Sequence, residues 1–212
     1  MAQRQQGFTL VEIAIVLVII GLLLGGILKG QEMITQAKIK NSVADFSGLS
    51  AAYYGYQDRY RAVPGDDAGA TRWAGATAGN GNGVIAGKYN STTATDESVL
   101  WWDDLRRAGF VAGAGTRQPF NAFAGMVGVQ TGDAAGGGAL GGFVGEIVCS
   151  ANIPDKVAIA LDTQMDDGSI EKGTMRGEKQ ASPNPDIAAA TPAGDIPYAE
   201  TGTNVYTLCR AL

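Results

Sequence analysis

A single carboxylate at the head of an otherwise apolar stretch constrains this chain more than any other feature. From Ile13 to Leu28 only glycines interrupt the aliphatic residues, and over Phe8 to Leu28 Glu12 is the only ionisable group. The stretch supplies the ~20 apolar residues that a membrane-spanning helix needs. A charge inside hydrocarbon is costly, so an intramembrane carboxylate has a partner and a purpose. The leader Met1 to Gln6 carries one charge, Arg4, on the far side of Gly7. A secretory signal peptide is cut after its apolar region, at small residues. Here the small-to-large junction, Gly7-Phe8, lies before it. A cut there keeps the apolar helix and creates an amine on Phe8, the natural counter-charge for Glu12.

Gly7-Phe8-Thr9-Leu10-Val11-Glu12 followed by the Ile/Val/Leu run resembles the type III signal of type IV pilins and of the pseudopilins of type II secretion. The resemblance implies cleavage between Gly7 and Phe8 by an inner-membrane prepilin peptidase, methylation of the Phe8 amine, and extraction by an inner-membrane assembly platform into a helical homopolymer. It assigns Glu12 to neutralising the Phe8 amine of a neighbouring subunit. It also implies an α+β type IV pilin fold, with a long N-terminal helix packed on a C-terminal antiparallel sheet. The expected organisation is a leader at 1–7, a membrane and filament-core half-helix at 8–30, an amphipathic half-helix at 31–63, and a globular head at 64–212. The expected location is the inner membrane before assembly, then an extracellular pilus or a periplasmic pseudopilus. An ordinary signal anchor with a chance Glu is the plainer reading.

The rest of the composition fits such a head. Thirty-one glycines with 45% hydrophobic residues suit a loop-rich domain, and a net charge of -5 gives no basic footprint for nucleic acid. The absence of histidine removes the commonest general base and metal ligand. The two cysteines, Cys149 and Cys209, in a head outside the inner membrane favour one disulfide. Its loop of about 60 residues is worth roughly 4 kcal/mol in the chain-entropy model. Many pilins close a C-terminal loop in this way, which agrees. Two free buried thiols are the alternative.

After Leu28 the helical pattern becomes one-sided. Ile39, Val43, Phe46, Leu49, Tyr53, Tyr56 and Tyr60 recur at three- and four-residue steps, the spacing of one helix face. Lys38, Lys40, Asp45 and Asp58 take the other, and Pro64-Gly65 stops the run. A helix from Phe8 to about Ala62 would be roughly 80 Å long. Gly21, Gly25, Gly26 and Gly30 weaken it locally and let helices approach closely. Pilins commonly place a proline here. This chain has Lys29 among glycines instead, which questions the family's kink.

From Pro64 to Thr95 the sequence is rich in Gly, Ala, Asn and Thr, as expected of a loop joining helix to sheet. Asp66, Asp67, Asn80 and Asn82 offer oxygen ligands of the kind Ca²⁺ takes, while Asn-Gly turns explain the same residues without an ion. A second helix is expected from Asp96 to Ala108, capped by Thr95, burying Val99, Trp102 and Leu105 and ending at Gly109. Adjacent Trp101 and Trp102 cannot share one helix face, so one is expected at a subunit contact. Glu97 to Trp102, then Ala108-Gly109-Phe110-Val111, is similar to a segment of pilin-like proteins in which an aromatic helix enters an exposed loop.

Gly136 to Gly142 reads as a spacer before a strand at Phe143–Cys149. A helix is expected from Ile153 to Met165 with Val157, Leu161 and Met165 on one face. Leu161 to Gly168 and Gly173 to Arg176 resemble a segment that precedes a strand in pilin and pseudopilin heads. Asp162, Asp166 and Asp167 offer a second possible Ca²⁺ cluster, with a solvated helix end as the plainer account. Gly177–Pro197 reads as an exposed loop, and Asn204–Cys209 as a half-buried strand.

An enzyme would need a base that the chain lacks beside its serines and Cys149. The pairs Asp103-Asp104 and Asp166-Asp167 suit helix surfaces. A membrane-anchored periplasmic binding or enzymatic domain is the alternative of another class; it leaves Gly7, Phe8 and Glu12 without a purpose. No cofactor is required on this reading.

Overall fold

The computed structural model describes residues 9–132, 140, 142–187 and 197–212. Two units are distinct: the residues up to Lys38, and Ile39–Leu212. One helix, α1, runs through both from Leu10 to Tyr60 without interruption at Gly21, Gly25, Gly26 or Gly30. In the first unit nothing lies against the position that a Cβ would take on any of these four glycines. A kink is not needed to accommodate them.

In the second unit the last turns of α1 lay their expected face on the head. Ile39, Phe46, Tyr53 and Tyr56 are buried, and Val43, Leu49 and Tyr60 pack at the edge of the same core. The helix ends at Tyr60, and the chain turns at Pro64-Gly65. Gly65 has φ +83°, and a Cβ there would sit 2.3 Å from the Glu97 carbonyl oxygen. Only glycine fits both the left-handed backbone and the close approach.

A short 3₁₀ turn at Ala70–Arg72 is followed by α2, Glu97–Arg107. The helix starts after Asp96 rather than Thr95, and Gly109 at φ +81° ends it. The four-stranded sheet consists of β1 Val127–Thr131, β2 Glu146–Pro154, β3 Met175–Lys179 and β4 Val205–Ala211. Its order is β1-β2-β4-β3, antiparallel throughout. Helix α3, Asp155–Met165, leaves directly from the end of β2.

Several sequence expectations shift here. Phe143 precedes the strand rather than starting it, and Ile153-Pro154 belong to β2, so α3 begins two residues later than expected. Asn152 stands at φ +57° in a bulge of β2, where the register with β4 shifts between Ser150 and Ile153. Gly177 to Lys179, expected in a loop, are the second half of β3. Most of the glycine spacer at 136–142, and most of the loop beyond Ile187, lie outside the described residues.

Cys149 and Cys209 are directly opposed across β2 and β4 and form the disulfide. It is fully buried beside Tyr89, Phe143 and Ile147. The bridge therefore fastens the last strand to the centre of the sheet, where it resists fraying of the C-terminus.

Candidate functional site

Gly7 and Phe8, the expected processing pair, lie outside the described residues. The helix behind them begins with a reciprocal cap. The Thr9 N–H and hydroxyl each donate to the Glu12 carboxylate at 2.8 Å, and the Glu12 N–H donates to Thr9 Oγ1 at 3.3 Å. This is a capping box, in which two otherwise orphaned donors of the first turn are satisfied. Glu12 is exposed and stands at the positive end of the helix dipole. In the single chain it completes its own helix while remaining accessible to a cation from outside.

Beyond Glu12, the first unit buries almost nothing. Leu10 to Leu28 present large aliphatic side chains that are 46–90% exposed. The helix is long and apolar enough to cross a membrane, with a mean hydropathy of 2.8 over its most apolar window. A water-soluble monomer does not tolerate so large a continuous apolar surface. Exposed apolar surface of this extent marks a membrane or protein contact. Lys29 closes the stretch and pairs with Glu32 at 2.8 Å, one turn on, so the first cation of the helix enters already compensated.

In the head, the oxygen-bearing residues of the loop after α1 make hydrogen bonds within that loop and to its neighbours. Asp66 Oδ1 accepts the N–H groups of Gly81 and Asn82 at 2.6 and 3.1 Å, and Oδ2 accepts that of Gly83 at 2.6 Å. Asp67 accepts the Tyr56 hydroxyl and the Arg72 guanidinium, both at 2.6 Å, and the Gly69 N–H at 2.7 Å. Burial works against the ionised Asp67, but Arg72, Tyr56 and Gly69 outweigh it and hold its carboxyl below the usual range. Asn80 and Asn82 turn their side-chain oxygens onto backbone N–H groups two residues ahead. The four residues form the frame of the loop, with Arg72 above the rings of Tyr60 and Trp73 at 4.7 and 4.9 Å.

Glu97 stands in the first turn of α2. It is buried, and it accepts the Asn80 N–H and side-chain amide through Oε1 and the Ala86 N–H through Oε2. No periodicity in the sequence marks this role.

The expectation of one accessible tryptophan is overturned: Trp101 and Trp102 are both fully buried, ring centroids 4.8 Å apart and edge to face. Asp103 and Asp104, expected on the helix surface, are buried too. Asp103 is paired with Arg107 at 2.6 Å, and Asp104 accepts the Gly65 N–H at 2.7 Å. Burial, with help from nearby Asp67 and Asp103, pushes the Asp104 carboxyl up to about 7 against the pull of the Gly65 N–H and Arg72. The loops at 65–74 and 80–88 wrap the sides of α2 that solvent was expected to cover.

Asp162, Asp166 and Asp167 do meet, each with a carboxylate oxygen within 4.8 Å of the others. Asp162 accepts the Tyr198 hydroxyl and the Gly168 N–H, Asp166 the Met175 N–H, and Asp167 the Ser169 N–H. Burial pushes the Asp162 carboxyl up to about 6. These bonds organise the turn from α3 into β3.

Residues 2–28 match the model of the prokaryotic N-terminal methylation motif, the prepilin-type motif of type IV pilins and pseudopilins. No curated protein and no solved structure matches the chain. The long N-terminal helix, the antiparallel four-stranded sheet and the Cys149–Cys209 disulfide accord with the type IV pilin fold.

Proposed function

We propose that this chain is a structural, non-enzymatic subunit of a type IV pilus-like surface filament. The observation that carries the reading is the methylation motif at residues 2–28 on a helix whose large aliphatic side chains from Leu10 to Leu28 are left uncovered by the chain's own fold. A motif that ends in an N-methylated amine and a helix that needs copies of itself fit one purpose, polymerisation. On this reading prepilin peptidase cuts between Gly7 and Phe8. The membrane helix holds the subunit until the assembly platform extracts it, and Glu12 receives the Phe8 amine of a neighbour. The apolar helices replace lipid with one another, and the heads form the exterior. A surface pilus, rather than a periplasmic pseudopilus, is favoured by the many glycine-rich loops of the head.

The Glu12→Ala variant tests the assembly step. Mass spectrometry of the cellular protein should show a mature chain beginning with N-methylated Phe8 in both parent and variant, while electron microscopy shows filaments only in the parent. Normal filaments from the variant would remove the role of Glu12, and an intact Met1 would remove the processing step. Filaments seen only inside the cell envelope would move the assignment to a pseudopilus.

A further inference from the structure

The chain contains two Asn-Gly sequences, Asn80-Gly81 and Asn82-Gly83, in one short run. Such pairs are chemically labile, because glycine has no Cβ to hinder its own backbone nitrogen. That nitrogen attacks the preceding side-chain Cγ. A C–N bond closes a succinimide, the bond from Cγ to the side-chain nitrogen breaks, and that nitrogen leaves as ammonia with the proton given up by the backbone N–H. Water then opens the ring to aspartate or isoaspartate. Each event adds a negative charge, and the isoaspartyl product also lengthens the backbone.

Both attacking nitrogens are held by one side chain. The Gly81 N–H and the Gly83 N–H each donate to the Asp66 carboxylate at 2.6 Å, one to each oxygen. Asp66 is itself 3% exposed, and its backbone carbonyl also accepts the Gly81 N–H at 2.9 Å. The nitrogen must lose its proton to attack, and an adjacent carboxylate opposes that loss by bonding the N–H and repelling the amide anion. It also fixes each peptide N–H toward Asp66. The leaving amide of Asn80 is held separately, donating to buried Glu97 at 2.8 Å. We propose that Asp66 guards this loop against deamidation, preserving Asn80 and Asn82 as amides for the life of the folded protein. The inference stands apart from the filament assignment, although a long-lived extracellular polymer would have particular need of it.

The test compares three samples at mildly alkaline pH and body temperature: the full-length chain in detergent micelles, its Asp66→Asn variant, and a synthetic peptide of residues 78–86 as the unguarded reference. Peptide mapping reads the mass gain of amide-to-acid conversion and the isoaspartate at each asparagine. The parent should convert at both sites at least about tenfold more slowly than the peptide, as expected when charge-assisted hydrogen bonds must first break. The variant should approach the peptide's rate at Asn80 and Asn82 while Asn90-Ser91 stays as slow as in the parent. A rise at all three sites would signal general unfolding. In that event hydrogen exchange on the parent decides, since guarded Gly81 and Gly83 amides must exchange far more slowly than in the peptide. Parent conversion at the peptide's rate, a folded variant no faster than the parent, or free exchange at Gly81 and Gly83 would each overturn the proposal.

Discussion

Replacing Asp104 with Asn should make the head more stable at alkaline pH and leave it unchanged in acid. The Asp104 carboxyl is 1% exposed and is pushed from its ordinary 3.8 to about 7 by burial, reinforced by Asp67 and Asp103. A native acid with a raised pKa holds its proton where the unfolded chain has released it. Its share of stability is therefore complete below the unfolded value and is lost as pH climbs from about 4 to about 7. The interval of roughly 3 pH units corresponds to a ceiling of about 4 kcal/mol at ~1.4 kcal/mol per unit. An amide of the same shape keeps an oxygen for the Gly65 N–H and carries no charge to desolvate. Urea unfolding, followed through the fluorescence of the buried Trp101-Trp102 pair, should give a variant about 2–4 kcal/mol more stable than the parent at pH 8. The two chains should converge near pH 4. Asp162, pushed up to about 6, titrates in both, so the quantity to read is the difference between the two pH profiles. Parallel profiles from pH 4 to pH 8 would refute a buried titrating Asp104.

Other expectations rest on equally local features. Cys149→Ser with Cys209→Ser should lower stability by about 4 kcal/mol, read from the urea midpoint, and reductant should affect the parent alone. Arg72→Met leaves the buried Asp67 carboxylate without its ion pair and should cost about 3–5 kcal/mol; a cost under about 1 kcal/mol would show the pair to be dispensable. Gly128→Ala would place a Cβ 1.9 Å from the Tyr89 carbonyl oxygen, so β1 should detach from the loop that covers it, visible as faster hydrogen exchange across Val127–Thr131. Ca²⁺ at about 1 mM, the range of weak extracellular sites, should leave the unfolding midpoint unchanged. A calcium-dependent rise abolished by Asp167→Asn would place an ion at the turn after α3.

The N-terminal part was legible because its signal is carried by residue identity at fixed short spacing. Gly7-Phe8 and Glu12 need no partner elsewhere in the chain to be recognised, and an amphipathic face such as Ile39 to Tyr60 shows its own period. Two cysteines allow one internal pairing, which made the disulfide readable as well. The strand β1 was missed: Val-Gly-Val-Gln-Thr is short, and its glycine is required only because the Tyr89 backbone passes close by. Nothing within five residues reports a neighbour 39 positions away, from Gly128 back to Tyr89.

The misplaced tryptophans have the same origin, and they show what holds this head together. A helix with one apolar stripe is expected to rest on a core and show its other side to water. Helix α2 instead sits inside a wrapping made of loops at 65–74 and 80–88, which have no hydrophobic period to announce that they will cover anything. Those loops bring few apolar side chains, so they are held by buried carboxylates: Asp66 gathers three N–H groups, Glu97 gathers two N–H groups and an amide, and Asp104 takes the Gly65 N–H. An irregular segment leaves its backbone donors without a ladder, and donors taken out of water must be met. One carboxylate can meet two or three, which a neutral oxygen does less strongly. In the loops that cover α2, buried carboxylates thus take the place of a backbone ladder, and truncating Asp66 or Glu97 to Ala should loosen the covering of α2 before it disturbs the sheet.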